Sequence, residues 1–208
     1  MWDAEYKLHL YPAQQDYRSV HNSLEELLTT LEFIASRIST QRSAQNLIQH
    51  SIQNFAHNIR RYEVGDKFLS HLTFMGCSPN IELEPQENKP YCYIEIEQIE
   101  KPRFISGKNL KPAKCPHCKF SITKLICANS CACRCENCHK TIDQEKLNWR
   151  KTAFYASSWI TIGNIYELEA IPNDSLLNAL ENKTGIKWKV AYIRRLIQDT
   201  QEVAKGDT

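Results

Sequence analysis

Glycine is scarce in this chain, six residues in 208. A phosphate-cradling loop needs several glycines within a few positions, and no such cluster exists, so P-loop and dinucleotide-binding chemistry are excluded. A helical His-Glu-x-x-His pattern is also missing, which removes one zinc-hydrolase arrangement. No apolar run approaches the roughly 20 residues that a membrane-spanning helix needs. The opening segment MWDAEYKLHLYP lacks the basic start and apolar middle of a secretory signal, so a cytoplasmic location away from membranes is expected. Neither sign of charge dominates, since 26 Lys and Arg against 24 Asp and Glu leave a net +2. Hydrophobic residues at 42% and charged residues at 24% are ordinary for a globular chain, which excludes a wholly disordered, collagen-like or coiled-coil protein. No internal repeat or low-complexity tract is visible.

Cysteine is where the chain departs from the ordinary. It has nine, seven of them between Cys115 and Cys138. Cys115-Pro-His-Cys118 and Cys135-Glu-Asn-Cys138 are two C-x-x-C pairs with sixteen residues between them, the spacing of a four-cysteine zinc site. Each pair makes a tight turn that aims two thiolates at one point. Two such turns face to face complete a tetrahedron with Zn–S distances of roughly 2.3 Å. The run from Phe120 to Cys127 is β-prone and suits a strand that leaves one turn and returns toward the other. The segment from about residue 112 to 143 thus resembles a zinc ribbon, a building block shared by proteins of many functions.

Other uses of these thiols weigh less. A disulfide framework needs an oxidising compartment, and an odd cysteine count without an export signal argues against one. A thioredoxin-like redox motif comes singly, between a strand and a helix. One Zn2+ on Cys115, Cys118, Cys135 and Cys138 is expected. A second Zn2+ or an iron–sulfur cluster stays chemically open through Cys127, Cys131 and Cys133. The simpler account makes those three spare thiols that pack as small apolar groups, because alternating residues 131, 133 and 135 cannot all converge without a bend. His117 and His139 read as exposed turn residues. Four thiolates fill the metal, leaving no open position for water or substrate, so the metal would be structural.

Elsewhere the periodicity suggests an α+β protein. Apolar residues at three-four spacing from about Gln14 to Ser39 predict one amphipathic helix, and Ser43 to Tyr62 a second. Their short connection predicts an antiparallel N-terminal helical hairpin over residues 1–65, with Gly65 as its stop. Residues 66–111 are expected to form a small β-sheet region, with strands at Phe68–Met75 and Tyr91–Ile99. In the second of these, Cys92, Ile94 and Ile96 alternate against Tyr93, Glu95 and Glu97. The ribbon at 112–143 is inserted next. Residues 144–208 read as an aromatic-rich helix over Asn148–Tyr166, then a C-terminal helix–strand unit starting at Pro172–Asp174 and capped at Gly185. One α+β body carrying a zinc-ribbon excursion is preferred over two independent domains.

The charge layout is uneven. Residues 81–100 hold six glutamates and one lysine, whereas residues 101–135 hold eight basic residues and no acid. Lys108, Lys111, Lys114, Lys119, Lys124 and Arg134 could meet phosphates or an acidic partner, and Phe104 or Phe120 could stack on bases. A surface whose lysines only balance the sulfur-centred charge explains the same residues. For catalysis the candidate nucleophile is Cys77, in Gly76-Cys77-Ser78-Pro79, with His71 six residues earlier; no third, orienting group can be named, so a buried structural thiol is favoured. His21, His50 and His57 read as polar helix positions.

Together these features point to a zinc-stabilised, non-catalytic binding protein. It would be an accessory or adaptor subunit whose basic ribbon meets a protein partner or, alternatively, nucleic acid. The competing readings are a cysteine-dependent enzyme or redox protein using Cys77, and a metal-handling protein using the seven-cysteine cluster.

Overall fold

The computed structural model describes residues 4–19, 22–38, 58–75, 81–85, 89–122, 132–143, 146–167 and 169–196. Strand β1 (Ala4–Pro12) is followed by helix α1 (Ser23–Thr30), β2 (Ile34–Ile38), β3 (Asn58–Val64), a 3-10 turn (Phe68–His71), β4 (Leu72–Phe74) and the long β5 (Tyr93–Ser106). Four short strands lie in the cysteine segment: β6 (Ala113–Lys114), β7 (Ser121–Ile122), β8 (Ala132–Arg134) and β9 (Thr141–Asp143). Then come β10 (Ala153–Gly163), β11 (Ala170–Pro172), helix α2 (Asp174–Thr184) and β12 (Trp188–Leu196).

The main sheet has the order β12-β1-β10-β5-β3-β2, and every neighbouring pair is antiparallel. Without β2, β3 and the cysteine segment, the succession β1-α1-β5-β10-α2-β12 with strand order 12-1-10-5 is the β-α-β-β-α-β connectivity of a ferredoxin-like unit. Alternation along the strands decides which face takes the helices. Leu8 and Leu10, Ile94 and Ile96, Ile160 and Ile162 share one face, which buries against Leu24 and Leu28 of α1 and Leu176 and Leu180 of α2. The β5–β10 hairpin extends past this core and bends at a bulge between Ala156 and Ser158. Its far end returns to the free edge of β12, where Lys108 N–H donates to the Arg194 carbonyl (2.8 Å) and Tyr192 N–H to the Lys151 carbonyl (2.7 Å). The sheet therefore rolls over its other face, enclosing Trp159, Phe154, Ile99, Ala191 and Ile193.

The expected α+β architecture is corrected here. Of the described residues 47% are strand and 16% helical, with two α-helices and no N-terminal helical hairpin. Among the described residues of the first expected helix, only Ser23–Thr30 is helical. Its periodicity runs on, but the backbone turns: Glu32 sits at φ 52°, its N–H bonds to Thr29 O, and Phe33 N–H bonds back to Leu28 O. This is a Schellman stop with glutamate in the usual glycine position. Buried Phe33 then packs in the same core as Leu28, and Ile34–Ile38 continues as a strand. The second expected helix falls largely outside the described residues, and its end, Asn58–Tyr62, belongs to β3, held to β5 through Tyr62↔Ile94. Gly65 ends no helix. It lets the Glu32–Phe33 turn approach, since a Cβ there would lie 2.2 Å from the Glu32 carbonyl oxygen.

The expected helix over Asn148–Tyr166 is likewise overturned. Its core is β10, buried along both faces between β1 and β5, and that two-sided burial explains why the apolar pattern mixed periods. The expected strand at Phe68–Met75 begins as the 3-10 turn, with β4 after it. Three readings hold in outline. Cys92, Ile94 and Ile96 do share a buried face. Asn173 caps α2 by accepting from Leu176 N–H (3.0 Å), and Gly185 closes it at φ 70°. IKWKVAYI supplies most of β12.

Candidate metal centre

Two hairpins place the four cysteines. In the first, β6 pairs with β7 and Cys115 begins the turn between them; in the second, β8 pairs with β9 and Cys135 begins the turn. Their backbones repeat each other. Cys115 N–H donates to Phe120 O (2.9 Å) and Lys119 N–H to Cys115 O (3.0 Å); Cys135 N–H donates to Lys140 O (3.0 Å) and His139 N–H to Cys135 O (2.9 Å). Lys119 and His139 both adopt left-handed conformations, φ 62° and 58°. These bonds turn backbone N–H groups into each loop and leave the side chains of both cysteines on its inner side.

The four Sγ atoms lie within 4.8 Å of one another. The pairs Cys115–Cys138 and Cys118–Cys135 are 3.7 and 3.6 Å apart. A zinc tetrahedron with Zn–S of about 2.3 Å has S–S edges of about 3.8 Å, so the thiols already stand at its corners. Their proton affinities diverge as expected for like charges sharing one point. A hydrogen bond from Asn137 and the Phe120 N–H bring Cys118 down to about 6. Cys138, although the Lys140 N–H lowers it, is pushed up to about 11 by desolvation and its sulfur neighbours. A divalent cation resolves that conflict by holding all four as thiolates. The donor set fits zinc, and its fourfold completeness fits a structural ion.

A constant offset of 20 residues relates the two hairpins: Ala113 to Cys133, Lys114 to Arg134, Cys115 to Cys135, Cys118 to Cys138, Ile122 to Ile142. Ile122 and Ile142 are buried, as are Ala113 and Cys133. Cys133 thus occupies an alanine's place and is not among the converging sulfurs; burial, then the neighbouring Cys115 and Cys135, push its thiol up. Cys127 and Cys131 lie outside the described residues. His117 and His139 are exposed turn residues.

The hairpins do not stand free. Their inner side chains share a core with Leu147, Trp149 and Ala153, with Phe104 and Tyr155 packed against it, and Lys114 pairs through its backbone with Asn148 (2.8 and 3.2 Å). Phe104 is therefore occupied by Trp149 (4.7 Å between ring centres) and Tyr155 (4.9 Å), whereas Phe120 is exposed. Among the basic candidates, Lys108, Lys119 and Arg134 are exposed. Lys111 pairs with Glu167 (3.0 Å), Lys114 is half-buried, and Lys124 lies outside the described residues, as do Cys77, His21, His50 and His57. His71 sets Nε2 on the Leu31 carbonyl (2.9 Å), at the end of α1.

Two features escaped the sequence reading. On the enclosed face of the sheet His9, Thr161 and Glu97 form a relay. Thr161 donates its only hydroxyl proton to Glu97 (2.8 Å), so the 2.9 Å contact with His9 Nδ1 is donated by the imidazole. Its Nε2 is buried without a partner among the described residues. Desolvation, against the attraction of Glu97, pushes His9 down to about 3, so the ring is neutral. Alternation within β1 places His9 opposite Leu8 and Leu10, and a single histidine gives no other signal. The second feature is a groove beside the cysteine hairpins, described below.

Fold and site define a mostly β protein, with a ferredoxin-like core and a pair of cysteine hairpins compatible with zinc. No protein-family model, curated protein or solved structure matches the chain. No helix among the described residues is long and apolar enough to cross a membrane.

Proposed function

We propose that this is a zinc-stabilised, non-catalytic binding protein, an accessory or adaptor subunit that meets its partner through the basic hairpin region. The observation carrying this reading is the convergence of four thiols within 4.8 Å. Four protein ligands leave the metal no position for substrate. The ion instead fixes a small element whose core is continuous with Trp149 and Ala153, so metal binding free energy becomes folding free energy of a surface. The exposed cations Lys108, Lys119 and Arg134 and the exposed ring of Phe120 are the groups such a surface would offer.

Zinc content, near-ultraviolet circular dichroism and limited proteolysis, followed through chelation and zinc return, test the reading. The expected result is one zinc per chain, loss of the aromatic signal from Trp149 on chelation, cleavage within residues 112–143, and recovery on adding zinc. A chelated protein that kept its aromatic signal and its protease resistance would refute a structural metal.

A further inference from the structure

A half-open groove of about 450 Å3 lies at the end of the sheet, walled on one side by the loop that follows the cysteine hairpins. Its wall comes from the end of β1, the start of β12, the start of β10 and the loop through Trp149. Tyr11, Trp149 and Tyr155 give it aromatic surface; Lys146, Lys151 and Lys189 stand on it, and no carboxylate among the described residues lines it. Lys146 pairs with Asp143 (2.7 Å) outside the groove. Lys151 and Lys189 are exposed and have no ion pair among the described residues.

Two further observations bear on this wall. Trp149 is 5% exposed and packs into the hairpin core, and its indole N–H has no acceptor among the described residues. Arg150 and Lys151, neither a glycine, stand consecutively in left-handed conformations at φ 52° and 61°. Strain of that kind persists only where the surroundings enforce it. Here Thr152 bonds back to Trp149 O through both its N–H (3.0 Å) and its hydroxyl (2.7 Å), and Tyr192 N–H holds the Lys151 carbonyl. The strained turn fixes Lys151 on the groove.

Resting on the binding-protein reading above, we propose that the partner also engages this groove, next to the basic hairpin region, and that the partner is single-stranded nucleic acid. One base lies against Tyr11, whose ring is already stacked on Phe154 (4.4 Å, 13° between planes). Its flanking phosphates meet Lys151 and Lys189, which are exposed on the groove. Aromatic platforms beside a cationic track are how single strands are held without sequence readout. The groove adjoins the first hairpin, because Asn148 on its wall is bonded to Lys114. Acidic peptides would satisfy the lysines but leave the aromatic surface unused.

The test is fluorescence anisotropy of labelled single-stranded 8-mers, with a duplex of equal length and adenosine monophosphate as competitors, at several salt concentrations on zinc-loaded protein. Three variants stand beside the wild type: Lys151→Glu/Lys189→Glu, Tyr11→Leu, and Lys111→Glu/Lys114→Glu/Lys119→Glu. The proposal expects saturable single-strand binding. It expects the log–log salt slope to fall by about 1.4 in the groove charge variant, and an affinity loss of roughly tenfold in Tyr11→Leu. Because Lys151 and Lys189 are exposed, their reversal tests the site without unfolding it. Single-strand binding untouched by the groove variants but lost in the hairpin triple variant would overturn the groove while leaving the hairpin surface as partner site. Equal binding of the duplex, competition by adenosine monophosphate as strong as by the 8-mer, or no binding at low salt would each overturn the nucleic-acid assignment. Chelation would still decide the zinc-stabilised fold separately.

Discussion

Cys133 and Cys135 are two residues apart, both buried and both sulfur-bearing, yet the paired hairpins give them opposite consequences on replacement by alanine. Cys133 stands where the first hairpin has Ala113, and its sulfur lies outside the converging set. Cys133→Ala removes one buried sulfur from a position already compatible with alanine, costing about 1 kcal/mol by the usual large-to-small reckoning. Cys135→Ala removes one corner of the tetrahedron. Structural zinc in small modules contributes an apparent 10–16 kcal/mol or so at neutral pH, about 3 kcal/mol for each of four ligands, which is about 100-fold in zinc affinity. Zinc per chain, measured by mass spectrometry after dialysis against a graded chelator series, reads this directly. Wild type and Cys133→Ala should each retain one zinc to the same chelator concentration, and Cys135→Ala should release it at about a hundredth of that. Wild type holding two zinc ions, or Cys133→Ala releasing zinc as readily as Cys135→Ala, would refute the assignment and return Cys133 to the ligand set.

His9 gives a pH prediction. Its folded pKa, pushed down to about 3 by burial, lies below the unfolded value near 6.5, so between those limits the unfolded chain binds the extra proton and stability falls as pH falls, by about 1.4 kcal/mol per unit. Urea unfolding at pH 7, 6 and 5 should show a steeper loss in wild type than in His9→Gln; parallel slopes would refute a buried neutral imidazole. Two glycines separate steric from backbone causes. Gly65→Ala drives a methyl to 2.2 Å from a backbone oxygen and should cost about 2–3 kcal/mol. Gly185→Ala meets nothing within 4 Å but sits at φ 70°, costing about 1 kcal/mol. Urea midpoints in which Gly185→Ala proved the more damaging would sink the close-approach account of the Glu32–Phe33 turn.

The error at the first expected helix has a definite physical origin. Leu24, Leu27, Leu28, Leu31 and Ile34 keep helical spacing across a chain reversal, because the residue after the stop, Phe33, must return to the same core that the helix faces. Apolar periodicity reports which side is buried; only the turn chemistry reports where the backbone changes. At Glu32 that chemistry is hidden, since the left-handed position carries an acid whose carboxylate holds Lys67 (2.6 Å) in place of a glycine. Where the local signals stand in their usual residues, Asn173 at the start and Gly185 at the end, α2 was legible to within a residue. The strand β10 was illegible for the opposite reason: with β1 and β5 on either edge and both faces covered, it keeps no polar alternation to be read.

The metal site was legible because ligand spacing is a covalent property of the chain, independent of which strands flank it. Its internal repeat was not. Between the hairpins the sulfurs, the isoleucines, the hydroxyls of Ser121 and Thr141 and the charge of Lys114 and Arg134 correspond, and a 20-residue offset carried by so few positions becomes visible through the matching backbone bonds at Cys115 and Cys135. Those bonds also decide what Cys133 is. In a strand entering such a turn, successive residues alternate faces. The residue two before the first ligand therefore faces the same side as that ligand but one strand step, roughly 7 Å, farther along. That distance exceeds the 4.8 Å within which the four converging sulfurs gather, which sets Cys133 apart from them, in the buried cluster with Ala113 and Trp149.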